Sequence, residues 1–383
     1  MKKFSDQDSY YLNIGGNDEY SVRSVASEAL AFSVTIKTGI YNEKVIGVPL
    51  NEAIERDIKL IRSTAYHHKA NVSGGWGDAW QSTLWASTVG SAGWLMWDKL
   101  ADTDRVYVCK MIEYEANRMN NYVVPYLRDK AGNFMGDKGD SKAEENAWNA
   151  TILQLALAMM PDHPNKEIWT NKNIELILSA NIRPQDVNSD EKFNGKKLKD
   201  IINGSNYNSD GTVTNHGIIH PDYMTCTNYT FALLFALAER PTPKAAFYNI
   251  DVIYKALVDL KFPSPPNLSP GGTVYTKNSA AIYYPYKNDW GRGRKMHFAL
   301  MDCQVNAFKQ DYLASENGAY WEKFHAQAVL DMQQRSDDGR CYQTLTEDNY
   351  RCREEWVACN AAHAYLTKWI MKQHKFSITN KAR

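Results

Sequence analysis

Neither sign of charge dominates this chain: Lys+Arg and Asp+Glu both number 44, so no global field recruits nucleic acid, and an acidic ligand must be met by a local cluster of bases. No apolar run approaches the ~18 residues that a membrane span requires. The opening MKKFSDQDSYYLNIGG has two lysines but no apolar stretch behind them. The expected chain is soluble, without membrane partners. It is cytoplasmic as it stands, or secreted or periplasmic if a leader has been removed. The six cysteines lack a CxxC pair, which argues against a zinc ribbon or a disulfide framework and fits a reducing compartment. Alternating strand patterns are also scarce.

What the chain does have is helical periodicity. Residues 51–70 place Ile54, Ile58, Ile61 and Ala65 on one stripe behind Asn51, a candidate cap. Similar stripes predict helices over 82–100, 103–127, 143–160, 166–180, 223–239, 244–260, 296–313, 320–334 and 355–371. Between them lie turn-forming loops such as VSGGWGD, NGSNYNSDGTVTNHG and YKNDWGRGR. Long loops in a compact domain tend to carry function. The expected fold is all-α: a single α/α toroid over 1–383, an incomplete α/α barrel of paired antiparallel helices with few or no strands. Residues 1–50 form an N-terminal arm and first helices, 51–383 form the main toroid, and the loops gather at one mouth.

The densest chemistry is in SDGTVTNHGIIHPDYM, which holds Asp210, Asn215, His216, His220, Asp222 and Tyr223. Histidine exchanges a proton near neutral pH, and tyrosine can act as base or acid when its surroundings tune it. The same histidines could instead brace the loop while Tyr223 packs. In KAEENAWNA, Glu144, Glu145, Asn146 and Asn149 open an apolar helix, with Asn146 and Asn149 on one face. Such residues also suit any helix N-terminus. In YKNDWGRGRKMHF, Arg292 and Arg294 flank Gly293 near Lys295 and His297, and guanidinium forks match a carboxylate or sulfate. Trp76, Asp78 and Trp80 of GGWGDAW suit a sugar-stacking wall, whereas Trp85, Trp94 and Trp97 read as core. Near the C-terminus, Arg353, Glu354 and Glu355 could supply an ion pair that positions the arginines.

The patterns GGWGDAWQSTLWA, KAEENAWNA, NHGIIHPDYM and REEWVACNAAHAYLT resemble bacterial heparinase II/III-like proteins. DGTVTNH with the later RGR resembles the α/α-toroid catalytic domain of hyaluronate, chondroitin and xanthan lyases. The resemblance implies an asparagine, a histidine, a tyrosine and an arginine around a uronate. By motif these fall on Asn149 (with Asn146 in reserve), His216, Tyr223 (with Tyr229 as alternative), and Arg292 or Arg294. Trp76, Asp78, Trp80, Glu145, Asn146, His220, His297 and Glu354 are the expected substrate contacts.

The activity implied is β-elimination on a uronic-acid-containing oligo- or polysaccharide. Asn and Arg neutralise the carboxylate, and His and Tyr serve as base and acid. No cofactor is expected. No ligand spacing demands a metal, although His216, His220 and a nearby carboxylate could gather in space. The alternatives are a glycoside hydrolase on the same scaffold, with Asp78, Glu144, Glu145, Asp210 and Asp222 as candidate carboxylates, or a cytosolic toroid enzyme or carbohydrate binder acting on a small ligand.

Overall fold

The computed structural model describes residues 10–373. Helix accounts for 53% and strand for only 6%, the latter in four two-stranded antiparallel ladders and a few isolated bridges. The chain is thus mostly helical, as its periodicity predicts. The helices are α1 (Glu19–Lys37), α2 (Glu43–Ile46), α3 (Leu50–Tyr66), α4 (Ser82–Leu95), α5 (Asp102–Arg118), α6 (Ala143–Met159) and α7 (Lys166–Asn181). They continue with α8 (Leu198–Ile201), α9 (Pro221–Met224), α10 (Leu233–Leu237), α11 (Ile250–Asp259), α12 (Lys295–Ala307), α13 (Gly318–Gln333) and α14 (Arg353–Lys372). No helix among the described residues is long and apolar enough to cross a membrane.

Several expected helices differ from those found. The long helix α1 shows no amphipathic stripe, because its Ser, Ala and Val residues are buried on most faces. The helix expected over 223–239 is broken into α9, a 3-10 segment at Thr225–Thr230, and α10. Its threonines explain the break: the Thr225 and Thr230 hydroxyls each donate 2.7 Å back to the carbonyl three residues earlier, competing with the α-helical ladder. The helix expected over 296–313 stops at Ala307, shortly before Lys309 turns to φ +59°.

Helices α4 and α6 are buried almost all round, as expected of central elements. They approach closely at Gly90, where an added Cβ would lie 2.6 Å from Leu155 Cδ2. Helix α1 packs on α4, α4 on α6, α6 on the 3-10 segment, that segment on α12, α12 on α14, and α14 on α1. This series of contacts returns to its starting helix. Helices α3, α5, α7, α11 and α13 each pack against members of the series. A cavity of about 60 Å³ is lined by Leu30, Leu84, Gln154, Asn228, Leu300 and Leu366 among others, so every member of the series contributes to one interior space.

Candidate active site

The N-terminal ends of the same elements surround a larger cavity of about 480 Å³. Helix α1 contributes Glu19 and Arg23, the turn before α4 contributes Trp80 and Gln81, and the start of α6 contributes Glu144, Glu145 and Trp148. Asp222 and Tyr223 come from α9, His297 from α12 and Trp356 from α14, with Arg294 and Tyr350 just ahead of the last two helices. Helix N-termini leave N–H groups unpaired and carry partial positive charge, and the lining sets the carboxyl groups Glu19, Asp140, Glu144, Glu145 and Asp222 beside the cations Arg23, Lys142 and Arg294.

His216 occupies a hairpin tip. Thr214–Asn215 pairs with Ile218–Ile219 in the register Asn215↔Ile218, leaving His216 and Gly217 as the two turn residues. Their φ values of +51° and +75° are what a type I′ turn requires. Such a φ is costly for a residue with a side chain, and it holds the imidazole up from the sheet. Gly139 lies against this tip, where a Cβ would come within 2.7 Å of Gly217 Cα. A side chain at 139 would therefore displace the hairpin.

The His216 imidazole is held from both sides. Its Nδ1 lies 2.6 Å from Asp289 Oδ2, and its Nε2 lies 3.0 Å from the Tyr223 hydroxyl. Because Asp289 is the acceptor at Nδ1, the ring proton belongs there and Nε2 is free to accept from Tyr223. The Trp290 indole N–H donates to the same phenolic oxygen at 3.2 Å. His220, buried beneath, places Nε2 3.1 Å from the other Asp289 oxygen. Partial burial acts to raise the Asp289 carboxyl, but hydrogen bonds from His216 and His220 outweigh it and hold it below the usual carboxylate range. Tyr223 is pushed well above the ordinary phenol value by burial and by the nearby Glu144, so at rest it carries its proton.

The loop that presents Asp289 is tied to a second segment: the Asn349 side chain donates 2.7 Å to the Asp289 carbonyl, and Asn349 N donates 3.0 Å to the Trp290 carbonyl. Gly291 is required here, since a Cβ would lie 2.5 Å from the Glu347 carbonyl oxygen. Farther along, Arg294 is buried and gripped by Asp348 through Nε at 2.9 Å and Nη2 at 3.0 Å, while Trp290 and Trp356 lie against its guanidinium. Arg23 sits with its guanidinium carbon 4.3 Å from the Trp356 ring centre and 5.1 Å from that of Trp148. Its Nη1 bonds Glu19 at 3.0 Å, and its Nη2 has no hydrogen-bond partner.

Of the expected residues, the cavity collects His216, Tyr223, Arg294, Trp80, Glu145 and His297, and His220 supports it from below. Other expected residues stand elsewhere. Asn149 is buried and accepts from Thr83 Oγ1 at 2.6 Å, tying α6 to α4, and Asn146 donates 3.0 Å to the Pro125 carbonyl, tying α6 to the loop that precedes it. Arg292 is exposed, whereas Arg294, two residues on, is turned inward and held by Asp348. Trp76 is fully buried, donating 2.9 Å to the Thr64 carbonyl. Asp78 pairs with Lys69 and Tyr114 outside the cavity, and Glu354 caps the N–H groups of Cys341 and Tyr342. The alternative tyrosine, Tyr229, does not line the cavity; its carbonyl accepts from Gln154 at 3.2 Å. Among the carboxylates, Glu144, Glu145 and Asp222 line the cavity, whereas Asp210 is engaged with Thr212.

Sequence reasoning did not single out Arg23, Asp289, Trp290 or Asp348. Asp289 and Trp290 lie within YKNDWGRGR, where the arginines drew attention, and Arg23 is a lone cation in the apolar run SVRSVASEALAF. A charged residue inside such a run is a usable signal, because charge is rarely buried without a role.

Burial raises the Glu144 carboxyl from its ordinary 4.5 to about 8, against the pull of Arg23 and Arg294. Between these values the folded chain binds more protons than the unfolded one, so stability falls as pH rises through this window. Glu144→Gln is therefore expected to match wild type below about pH 4.5 and to gain over it progressively up to about pH 8. The gain is at most about 1.4 kcal/mol per pH unit before solvent screening. Denaturant midpoints of both proteins at about pH 5 and pH 9 check this, and an equal difference at the two values rejects it.

His216, His220 and Asp289 are also the group among the described residues able to hold a metal ion, with one ligand atom from each lying within 4.8 Å of the others. Comparison of the chain with protein-family models, curated proteins and solved structures finds no match.

Proposed function

We propose that this chain is an α/α-toroid lyase that cleaves a uronic-acid-containing oligosaccharide by β-elimination. The toroid reading is supported by the helix contacts that return to their start and by the interior space those helices share. The single observation that carries the activity is the hydrogen-bonded chain Asp289–His216–Tyr223 at the wall of a cavity that also holds Arg23, Arg294 and four tryptophans. Flat indole rings suit the apolar faces of sugars, and the helix ends and cations suit a carboxylate.

The hydrogen on the carbon beside a uronate carboxylate is a weak acid, so the charge that develops on that carboxylate must be met. Arg23 takes the role expected of Asn149, because it lines the cavity and its Nη2 is without a partner, and Arg294, against the same Trp356 ring, adds charge. A donor aimed at developing charge typically contributes ~3–4 kcal/mol. Tyr223 removes the C5 hydrogen while passing its own proton to His216 Nε2, and Asp289 stabilises the imidazolium so formed. The Trp290 N–H supports the phenolic oxygen during this transfer. The C4–O bond then breaks as the C4–C5 double bond forms. The departing oxygen takes the proton from Tyr223, and His216 returns the one it held. No water is consumed.

A second reading draws on the raised Glu144 carboxyl, which suits a general acid, with Asp222 or Glu145 as the partner carboxylate of a hydrolase. One experiment separates the two. Incubation with alginate, heparan, chondroitin, hyaluronan and glucuronan oligosaccharides in ¹⁸O-water is expected to yield an ultraviolet-absorbing unsaturated end on one substrate, with no heavy oxygen in either product. Incorporated ¹⁸O without the chromophore transfers the activity to the carboxylates, and a complete absence of products across the panel rejects both.

A further inference from the structure

The three groups that meet at the hairpin tip are also good ligands for a metal. His216 is exposed on the tip, Asp289 lies on an exposed loop, and His220 is fully buried at the start of α9. Their nearest ligand atoms, His216 Nδ1, His220 Nε2 and the two Asp289 oxygens, already stand 2.6 and 3.1 Å apart across the carboxylate. Zinc bonds to imidazole nitrogen and carboxylate oxygen are about 2.0–2.2 Å. An ion inserted between these atoms would need Asp289, which like His216 is exposed, to rotate outward. The imidazole planes are nearly perpendicular, at 88°, with centroids 5.7 Å apart, so the two rings approach a common point from different directions. A set of two imidazoles and one carboxylate selects zinc-like transition metals, since calcium and magnesium prefer all-oxygen cages.

We propose that His216, His220 and Asp289 form a binding site for one divalent transition-metal ion of the zinc class, and that occupancy takes His216 out of the proton relay. The first half stands on the geometry alone, and the second rests on the lyase reading. The ion would take the lone pair of His216 Nδ1 and the Asp289 oxygen that now accepts from it. The ring proton would move to Nε2, and Nε2 could then no longer accept from Tyr223. The metal is thus an inhibitor, and the metal-free chain is the active one.

Cobalt titration of chain dialysed against a chelator tests the site without reference to activity. Saturable ligand-field absorption typical of tetrahedral or five-coordinate Co²⁺ is expected at a single equivalent, with zinc abolishing it by competition. Asp289→Ala and His220→Ala are each expected to weaken binding by more than the roughly 10–100-fold that loss of an outer-sphere partner costs. Asp289→Ala alters an exposed loop and serves if the buried His220→Ala chain does not fold. Cobalt bands that persist in Asp289→Ala but vanish on thiol alkylation assign the ion to cysteine and overturn the site, as does the absence of any saturable band. Where turnover is detected, the chelator-treated chain is expected to be fully active and zinc to inhibit it. Tight binding at these residues without inhibition retains the metal site and overturns the relay.

Discussion

Replacing Tyr223 by Phe, or His216 by Asn, is expected to lower turnover by about 10²–10⁴-fold, the range associated with loss of a positioned proton-transfer group. Tyr223→Phe keeps the ring in its packing and loses only the oxygen that joins His216 Nε2 and the Trp290 N–H. Asparagine is chosen for position 216 because it tolerates the left-handed backbone at φ +51° yet cannot carry a proton from Tyr223 to Asp289. The loss should fall on kcat, and the double variant should be little worse than either single one, since the pair acts as a unit. Circular dichroism and the unfolding midpoint should stay close to wild type. Near-wild-type turnover in both single variants would remove the relay from the mechanism.

Asp348→Ala is expected to destabilise the fold by about 3–5 kcal/mol, the usual cost of stranding one partner of a buried ion pair. Side-chain exposure is 4% for Arg294 and 1% for Asp348, and two parallel N–H bonds join them, so removal of the carboxylate leaves a guanidinium with no hydrogen-bonded counter-charge and only Asp222, not bonded to it, nearby. Water cannot easily replace the lost oxygens. Denaturant unfolding at neutral pH measures the effect, and a change below about 1 kcal/mol would mean that the pair behaves as a surface bridge. A chain with Arg294→Met and Asp348→Leu together should recover most of the stability, because replacing both partners removes the desolvation cost as well as the attraction. That double variant should still be impaired in turnover, which separates the structural role of Asp348 from the charge that Arg294 lends to the cavity.

The sequence was informative where structure is local. Helices at 143–160, 166–180 and 320–334 were found within a few residues of α6, α7 and α13, because a 3.6-residue stripe is written into neighbouring positions. The crowding of His216, His220 and Tyr223 was equally visible in the sequence, but the two-residue hairpin turn and one-turn helix that fold them onto one another were not, since a continuous helix over 223–239 was expected there. Asn149 illustrates the opposite case. Its position at the start of α6 is what its neighbours dictate, but the direction of its amide depends on Thr83 of α4, which packs beside it. Arg292 and Arg294 are only two positions apart, and it is Asp348 of a distant loop that holds the second of them inward.

The amino-acid order by itself determined a mostly helical chain, because backbone propensity and side-chain periodicity act over a few residues. The tertiary structure alone decided the partners. Asp289 reaches His216 from 73 positions away, and Tyr350 donates to Glu19 across 331. Such meetings are set by how buried faces of separate helices fit together, a property of the whole packed assembly that no short stretch of residues contains.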